Sequence, residues 1–201
     1  HKLRSAMVRP GRDRLSGRVE VDETYVGGEE KGTRGREIGS KALVVIAAQE
    51  DGRGIGRIRM RRIPEASARR LQSFIVGAIE PGSVVHTVGC GGNQGLEAEG
   101  YTHEVTILAD NMGSASELLP WVHRVASLLK RWLMGTHQGA VSNEHLDYYL
   151  DEFTFRFNRR RSRRRGKLFY RLVQQAAAGE PLPYKRLIAH ARGPKPRDHN
   201  I

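Results

Sequence analysis

Residues 41–49, KALVVIAAQ, are apolar without a break from Ala42 to Ala48. So short a run offers no polar face to water and is expected as a central strand covered on both sides. Its neighbours keep a strand period. In GRVEVDETYVGG, residues 17–28, Val19 and Val21 alternate with Glu20, Asp22 and Thr24 before a glycine turn, the pattern of a half-buried strand. GIGRIRMRRI, residues 54–63, alternates again after the turn EDGRG. Three strands in succession predict a meander.

The pattern then mixes helix and strand. ASARRLQSFIVGAI carries Leu71, Phe74, Ile75 and Ile79 at helical spacing, and the strand SVVHTV follows the turn EPGS. After a glycine-rich loop with a short helix, THEVTIL reads as a fifth strand. From Glu117 to His137 one helix is expected, with Leu118, Val122, Val125, Leu129 and Trp132 on one stripe. A second is expected to begin at Ser142 as N-cap, with Glu144 in its first turn, and a last one surrounds FYRLVQQAAAG. The division predicted is a basic linker over residues 1–16, an α/β domain over 17–161, and a basic helix and tail over 162–201.

Charge narrows the partner. Lys plus Arg exceed Asp plus Glu by 34 − 22 = 12, a field that attracts polyanions. It is concentrated in RFNRRRSRRRGK, residues 156–167, where eight of twelve positions are basic and none acidic. Phosphate contact by Arg159, Arg160, Arg161, Arg163, Arg164 and Arg165 is expected, against the plainer reading of a solvated tail. Cys90 is the single cysteine, so no intrachain disulfide forms and no cysteine cluster has zinc-ligand spacing. No run approaches the ~18 apolar residues of a membrane span, and no signal-peptide pattern opens the chain. A cytoplasmic, nucleoid-associated protein without a membrane partner or small-molecule substrate is expected.

Candidate site residues begin with Asp22, an acid midway along an otherwise apolar strand. Burying it is costly unless it is paired or binds a metal, and the alternative is exposure on the solvated face. His123 and Lys130 are two helical turns apart and share a face with Ser127, opposite the apolar stripe; a plain surface histidine is the rival reading. His86, Cys90 and His103 match no common zinc spacing. His137 and His145 read as capping or surface residues. Asp151 and Glu152 are expected to pair with nearby arginines rather than to bind metal.

In combination, VEVDETYVGG, a strand ending HTVGCGGNQGL, HRVASLLKRWLMGTHQG and YLDEFTFRFNRRR resemble the ISXO-type insertion-sequence transposases, a zinc-ribbon-preceded branch of the DDE superfamily. The resemblance spans roughly residues 17–175. It implies an α/β, RNase H-like fold whose mixed five-stranded sheet, flanked by helices, presents one carboxylate from its first strand and another from the end of its fourth. A third ligand comes from a later helix. Asp22 matches the first ligand and His123 the third, where Glu is usual and Asn or His stands in some branches. Lys130 matches a basic residue that touches DNA near the cut, with Arg131 beside it. The resemblance further implies Mg²⁺ or Mn²⁺ in a two-metal site, with Asp22 and His123 as ligands. Its partners would be element-end and target DNA, bound by a homo-oligomer, with base readout in the preceding zinc ribbon.

The second ligand position departs from the family. Where Asp, Gly and an aromatic residue are usual, this chain has Val88, Gly89 and Cys90, with Asn93 in place of a Tyr. Valine cannot ligate a cation, so strand cleavage and transfer are expected to be impaired. Asp110 and Glu117 are nearby acids, but their register argues against substitution. The rival functions are a non-catalytic DNA-binding protein on the same fold and, more distantly, a structural or ribosome-associated basic protein.

Overall fold

The computed structural model describes residues 2–8, 11–27, 41–89, 95–106, 114–138, 141–179 and 183–185. Cys90, Asn93 and Asp110 lie outside them. The chain folds in the order α1 (Lys2–Ser5), β1 (Arg18–Val26), β2 (Ala42–Asp51), β3 (Gly54–Ile63), α2 (Ala68–Ala78), β4 (Val84–Val88), a 3-10 turn (Glu97–Glu99), β5 (Thr102–Thr106), α3 (Ala115–Leu118), α4 (Pro120–His137), α5 (Leu146–Asn158) and α6 (Arg165–Ala178).

The strands form one sheet in the order β3-β2-β1-β4-β5. β1, β2 and β3 pair antiparallel as the predicted meander, while β4 joins β1 and β5 joins β4 in parallel. Parallel neighbours require a crossover, and α2 supplies the one between β3 and β4. This is the mixed, RNase H-like α/β sheet expected.

Each face of the sheet has its own core. Val44, Ile46 and Ala48 of β2 pack with Val122, Val125, Leu129 and Leu133 of α4 and Leu150, Phe153 and Phe157 of α5. The alternate residues Val45 and Ala47 turn to the other face, with Val19 and Val21 of β1 and Phe74 and Ile75 of α2. Residues 42–48 are therefore buried without exception, the physical reason that KALVVIAAQ has no polar face.

Several boundaries differ from the periodicity reading. The helix expected from Glu117 is broken at Leu119, because Pro120 has no N–H to continue it and instead opens α4. The buried stripe accordingly includes Leu119 and Leu133, while Leu118 and Trp132 are only half-buried. The following helix starts at Leu146 rather than Ser142, whose carbonyl accepts the His145 N–H in a preceding turn at 3.1 Å. In α2, Leu71 is half-buried and Ile79 lies just past the helix end, although fully buried. The amino-terminal stretch is also tied down. Leu15 is fully buried and bridges Ile79, and Arg4 reaches Glu152 of α5 at 2.6 Å and covers the Tyr149 ring at 4.1 Å.

Candidate active site

A two-residue period along β1 sends Glu20, Asp22, Thr24 and Val26 to the face covered by α4. Val26 accordingly joins the core beneath that helix. Helix α4 packs on β1 and β2, and its first turn brings His123 over the strand. His123 Nε2 lies 3.4 Å from Asp22 Oδ2, with both side chains about one-third exposed. The approach makes no hydrogen bond, and His123 Nε2 is a buried polar atom without a partner. Asp22's carboxyl is pushed up by burial, an effect that the Glu23 backbone N–H and the nearby His123 only partly offset. Although about one-third exposed, the His123 ring is not directed to the outer side of α4, where its placement opposite the apolar stripe predicted it. It faces the strand carboxylate.

Position 88 belongs to the same face. β1 and β4 pair from Arg18↔Val84 to Glu20↔His86, and two residues further along each strand come Asp22 and Val88. Parallel neighbours stand about 5 Å apart. Val88 pairs with Thr106 of β5 and is partly buried against the core under α4 and α5. Gly89 then takes φ 126°, a conformation that glycine adopts readily, and β4 ends. An acid at position 88 would thus lie beside Asp22; valine supplies no donor there.

Asp22 and His123 fit the ligands of one divalent cation, since an orphaned imidazole nitrogen and a partly desolvated carboxylate face the same space. They do not complete a two-metal cradle. Among the described residues no group of three or more His, Cys, Asp or Glu side chains could hold a metal ion. Glu117 is exposed and accepts the Ser114 N–H at 2.7 Å within its own helical turn, so it does not replace the second acid. The imagined zinc set is not assembled by its described members. Residues 85 and 103 are paired, which turns His86 and His103 to opposite faces, where each meets a threonine hydroxyl.

The remaining candidates separate in space. Lys130 and Arg131 are exposed on α4, and Lys130 borders a cleft with Tyr25, Val26, Gly27 and Met134 at the far end of β1. The arginine run divides. Arg159 lies over the Phe155 ring at 3.9 Å. Arg160 donates to the carbonyls of Ile55, Gly56 and Phe157 and lies over the Phe157 ring at 4.0 Å. Arg161 bonds Asp51 at 2.7 Å. Arg160 and Arg161 latch the end of α5 to the β2–β3 hairpin, roughly 15–20 Å from Asp22 as strand spacings count it. Arg163, Arg164 and Arg165 are exposed. Glu152 pairs with Arg4 and Arg156 as expected. His137 is no cap; its ring packs edge-on against Trp132 and Tyr149, each at 4.7 Å. His145 occupies the N-cap position of α5 without a side-chain cap bond.

Sequence reasoning passed over Glu20. It is 2% exposed, and its Oε2 accepts the N–H groups of Trp121 and Val122, each at 2.8 Å. Burial pushes its carboxyl up to about 7 despite those two bonds. The available signals were its place on the Asp22 face and a helix starting at Pro120 without a local cap.

Among solved structures, the chain is similar to the Mos1 strand transfer complex, with TM-score 0.39 and 16% identity over 90% of this chain and 62% of that one. It is also similar to a pre-cleavage Mos1 transpososome, with TM-score 0.39 and 15% identity over 84% of this chain and 58% of that one. A Mos1 paired-end complex with the left transposon end gives TM-score 0.36 and 13% identity over 83% and 57%. The chain thus spans about three-fifths of the length of these Mos1 chains. No curated protein matches it. The family model of the ISXO2-like transposase domain matches residues 14–158. With most of its length matched, including β1, β4 and α4, the chain belongs to the ISXO2-like transposase domain family.

Proposed function

We propose that the chain is the catalytic domain of an insertion-sequence DNA transposase whose cleavage activity is impaired at position 88. The observation that carries this reading is Asp22 facing the orphaned His123 Nε2 at 3.4 Å, with Val88 on the neighbouring strand of the same face. Asp22 and His123 would hold one Mg²⁺ or Mn²⁺ ion, and the two-metal site of the intact family form would need an acid at position 88 as well. Bound there, divalent ions neutralise the scissile phosphate and activate water. In the intact reaction water attacks the phosphorus and the 3′-oxygen leaves; the freed 3′-hydroxyl then attacks a target phosphorus, and the target strand's own 3′-oxygen leaves. Neither step forms a covalent enzyme intermediate.

Around that pair, Lys130 and Arg131 would hold phosphates near the cut, and Arg163, Arg164 and Arg165 would hold them further along the duplex. Such contacts position DNA without reading its sequence. The partners are element-end and target DNA, bound by a homo-oligomer because two ends must be joined.

A non-catalytic DNA-binding role is the second reading, and Val88 is the observation that favours it. Metal-dependent nicking of element-end DNA, measured for the chain and for Val88→Asp with each fused to a matching zinc ribbon, separates the two. Nicking by Val88→Asp alone supports the impaired transposase. If both variants bind DNA and neither nicks, the non-catalytic reading stands. Nicking by the Val88 chain unaided removes position 88 from the site.

A further inference from the structure

The start of α4 has no capping residue of its own. The position before it is Leu119, which offers no side-chain acceptor, and Pro120 at the first position has no N–H. The His123 N–H already bonds the Leu119 carbonyl at 3.2 Å. Trp121 and Val122 are therefore the donors of the first turn left to be satisfied, and both point at one oxygen of Glu20, a residue 101 positions earlier than Trp121. A local Ser, Thr or Asp cap would satisfy the same groups without constraining where the helix sits. A cap on β1 instead ties the height of α4 to the strand.

That tie has a second rung. Glu20 and Asp22 are alternate residues on one face of β1, about 6.6 Å apart along the strand. On the helix, Val122 and His123 are consecutive. Glu20 holds Trp121 and Val122, and the next step along both elements brings Asp22 and His123 to 3.4 Å. The Asp22–His123 approach makes no hydrogen bond of its own, so it does not itself fix the height of a helix that is otherwise seated by apolar packing.

We propose that Glu20 is a positioning residue, a cross-element clasp whose carboxylate oxygen seats the first turn of α4 on β1 and so holds His123 opposite Asp22. The inference rests on the reading of Asp22 and His123 as a metal-binding pair. It assigns to Glu20 no contact with metal or DNA. The distinction from an ordinary stabilising bond is geometric, because the clasp acts through the position of a side chain it does not touch.

The test uses the full chain and two independent readouts. The first is metal-free: the NMR signals of the His123 ring, with and without Asp22→Asn, in parent, Glu20→Gln, Glu20→Asp and Glu20→Ala backgrounds. Glutamine offers one oxygen at the same reach, so Glu20→Gln should keep the Asp22-dependent shift of the His123 ring. Glu20→Ala should abolish it. Should Glu20→Ala fail to fold, Glu20→Asp serves, since it keeps the acid but withdraws the oxygen by one methylene. A full Asp22-dependent shift in the folded Ala or Asp variant overturns the clasp, as does absence of that shift in the parent.

The second readout is Mn²⁺ affinity in the Val88→Asp background. Loss of the clasp should weaken it about 10-fold or more, the range typical of groups that orient metal ligands, with Gln rescuing it. If Val88→Asp binds no Mn²⁺ while Glu20→Ala still uncouples His123 from Asp22, the metal-site reading fails and the clasp stands. If Glu20→Ala binds Mn²⁺ as tightly as its parent, the clasp does not serve the metal site and the proposal is overturned.

Discussion

Asp22 of β1 and His123 of α4, 101 residues apart in the chain, bring a carboxylate oxygen and an unpartnered imidazole nitrogen within 3.4 Å of each other. Burial raises the Asp22 carboxyl, so its charge is held at a cost in the metal-free protein. Asp22→Asn should therefore leave the apo domain as stable or up to about 1 kcal/mol more stable, while removing Mn²⁺-dependent stabilisation in the Val88→Asp background. Thermal melts with EDTA and with Mn²⁺ check both halves. A large loss of apo stability would show that the carboxylate is a structural bond instead.

Val88→Asp should behave in the opposite sense. Without metal it places a second acid beside Asp22 and removes apolar contact from a partly buried site, at a cost of about 1–2 kcal/mol. For a domain of this size that lowers the melting temperature by about 2–4 °C per kcal/mol. Millimolar Mg²⁺ or Mn²⁺ should restore the loss and leave the melting temperature of the Val88 chain nearly unmoved.

The two ends of the arginine run should respond differently. Arg160 is tied to three carbonyls and to the Phe157 ring, so Arg160→Ala should destabilise the fold by about 1–2 kcal/mol. Exposed Arg163 should change stability by less than about 0.5 kcal/mol when replaced by Ala. Its loss should instead weaken DNA binding and lower the salt slope by about 0.9. Urea melts and DNA titrations at several salt concentrations read these effects separately.

His86 sets an acid limit on stability. Arg18 Nη2 can only donate, so His86 Nδ1, 3.2 Å away, must accept, and the proton sits on Nε2, which donates to Thr106 Oγ1 at 2.8 Å. Burial first, then the Arg18 charge, lower its pKa against the opposing pull of Glu104 and Glu50; His103 adds to the lowering. An imidazole whose folded pKa is depressed contributes stability above the unfolded value near 6.5, and that stability is lost as pH falls through the folded value. Denaturant melts from pH 7 to about pH 5 should show this loss in the parent. The His86→Asn variant, which cannot titrate, should lose less over the same interval.

Alternation and helical spacing made the five strands and the principal helices readable, because periods of 2 and 3.6 follow from local backbone sterics that each segment carries with it. Asp22 was visible for the same reason, as an acid interrupting an apolar strand. Pro120 is equally local, and it divides the Glu117–His137 stretch because a proline cannot continue a helix but can open one. The excess of 12 positive charges was a matter of counting.

What the sequence by itself did not determine lies between segments. Whether His123 faces water or a carboxylate depends on where α4 lands on β1, and a strand residue 101 positions before Trp121 decides that height. Which arginines are engaged by the fold depends on the α5 end meeting the β2–β3 hairpin. Leu15 enters the core because Ile79 is there to bridge it. Such contacts are set by crossover and register, which bring together groups that no window of local sequence contains.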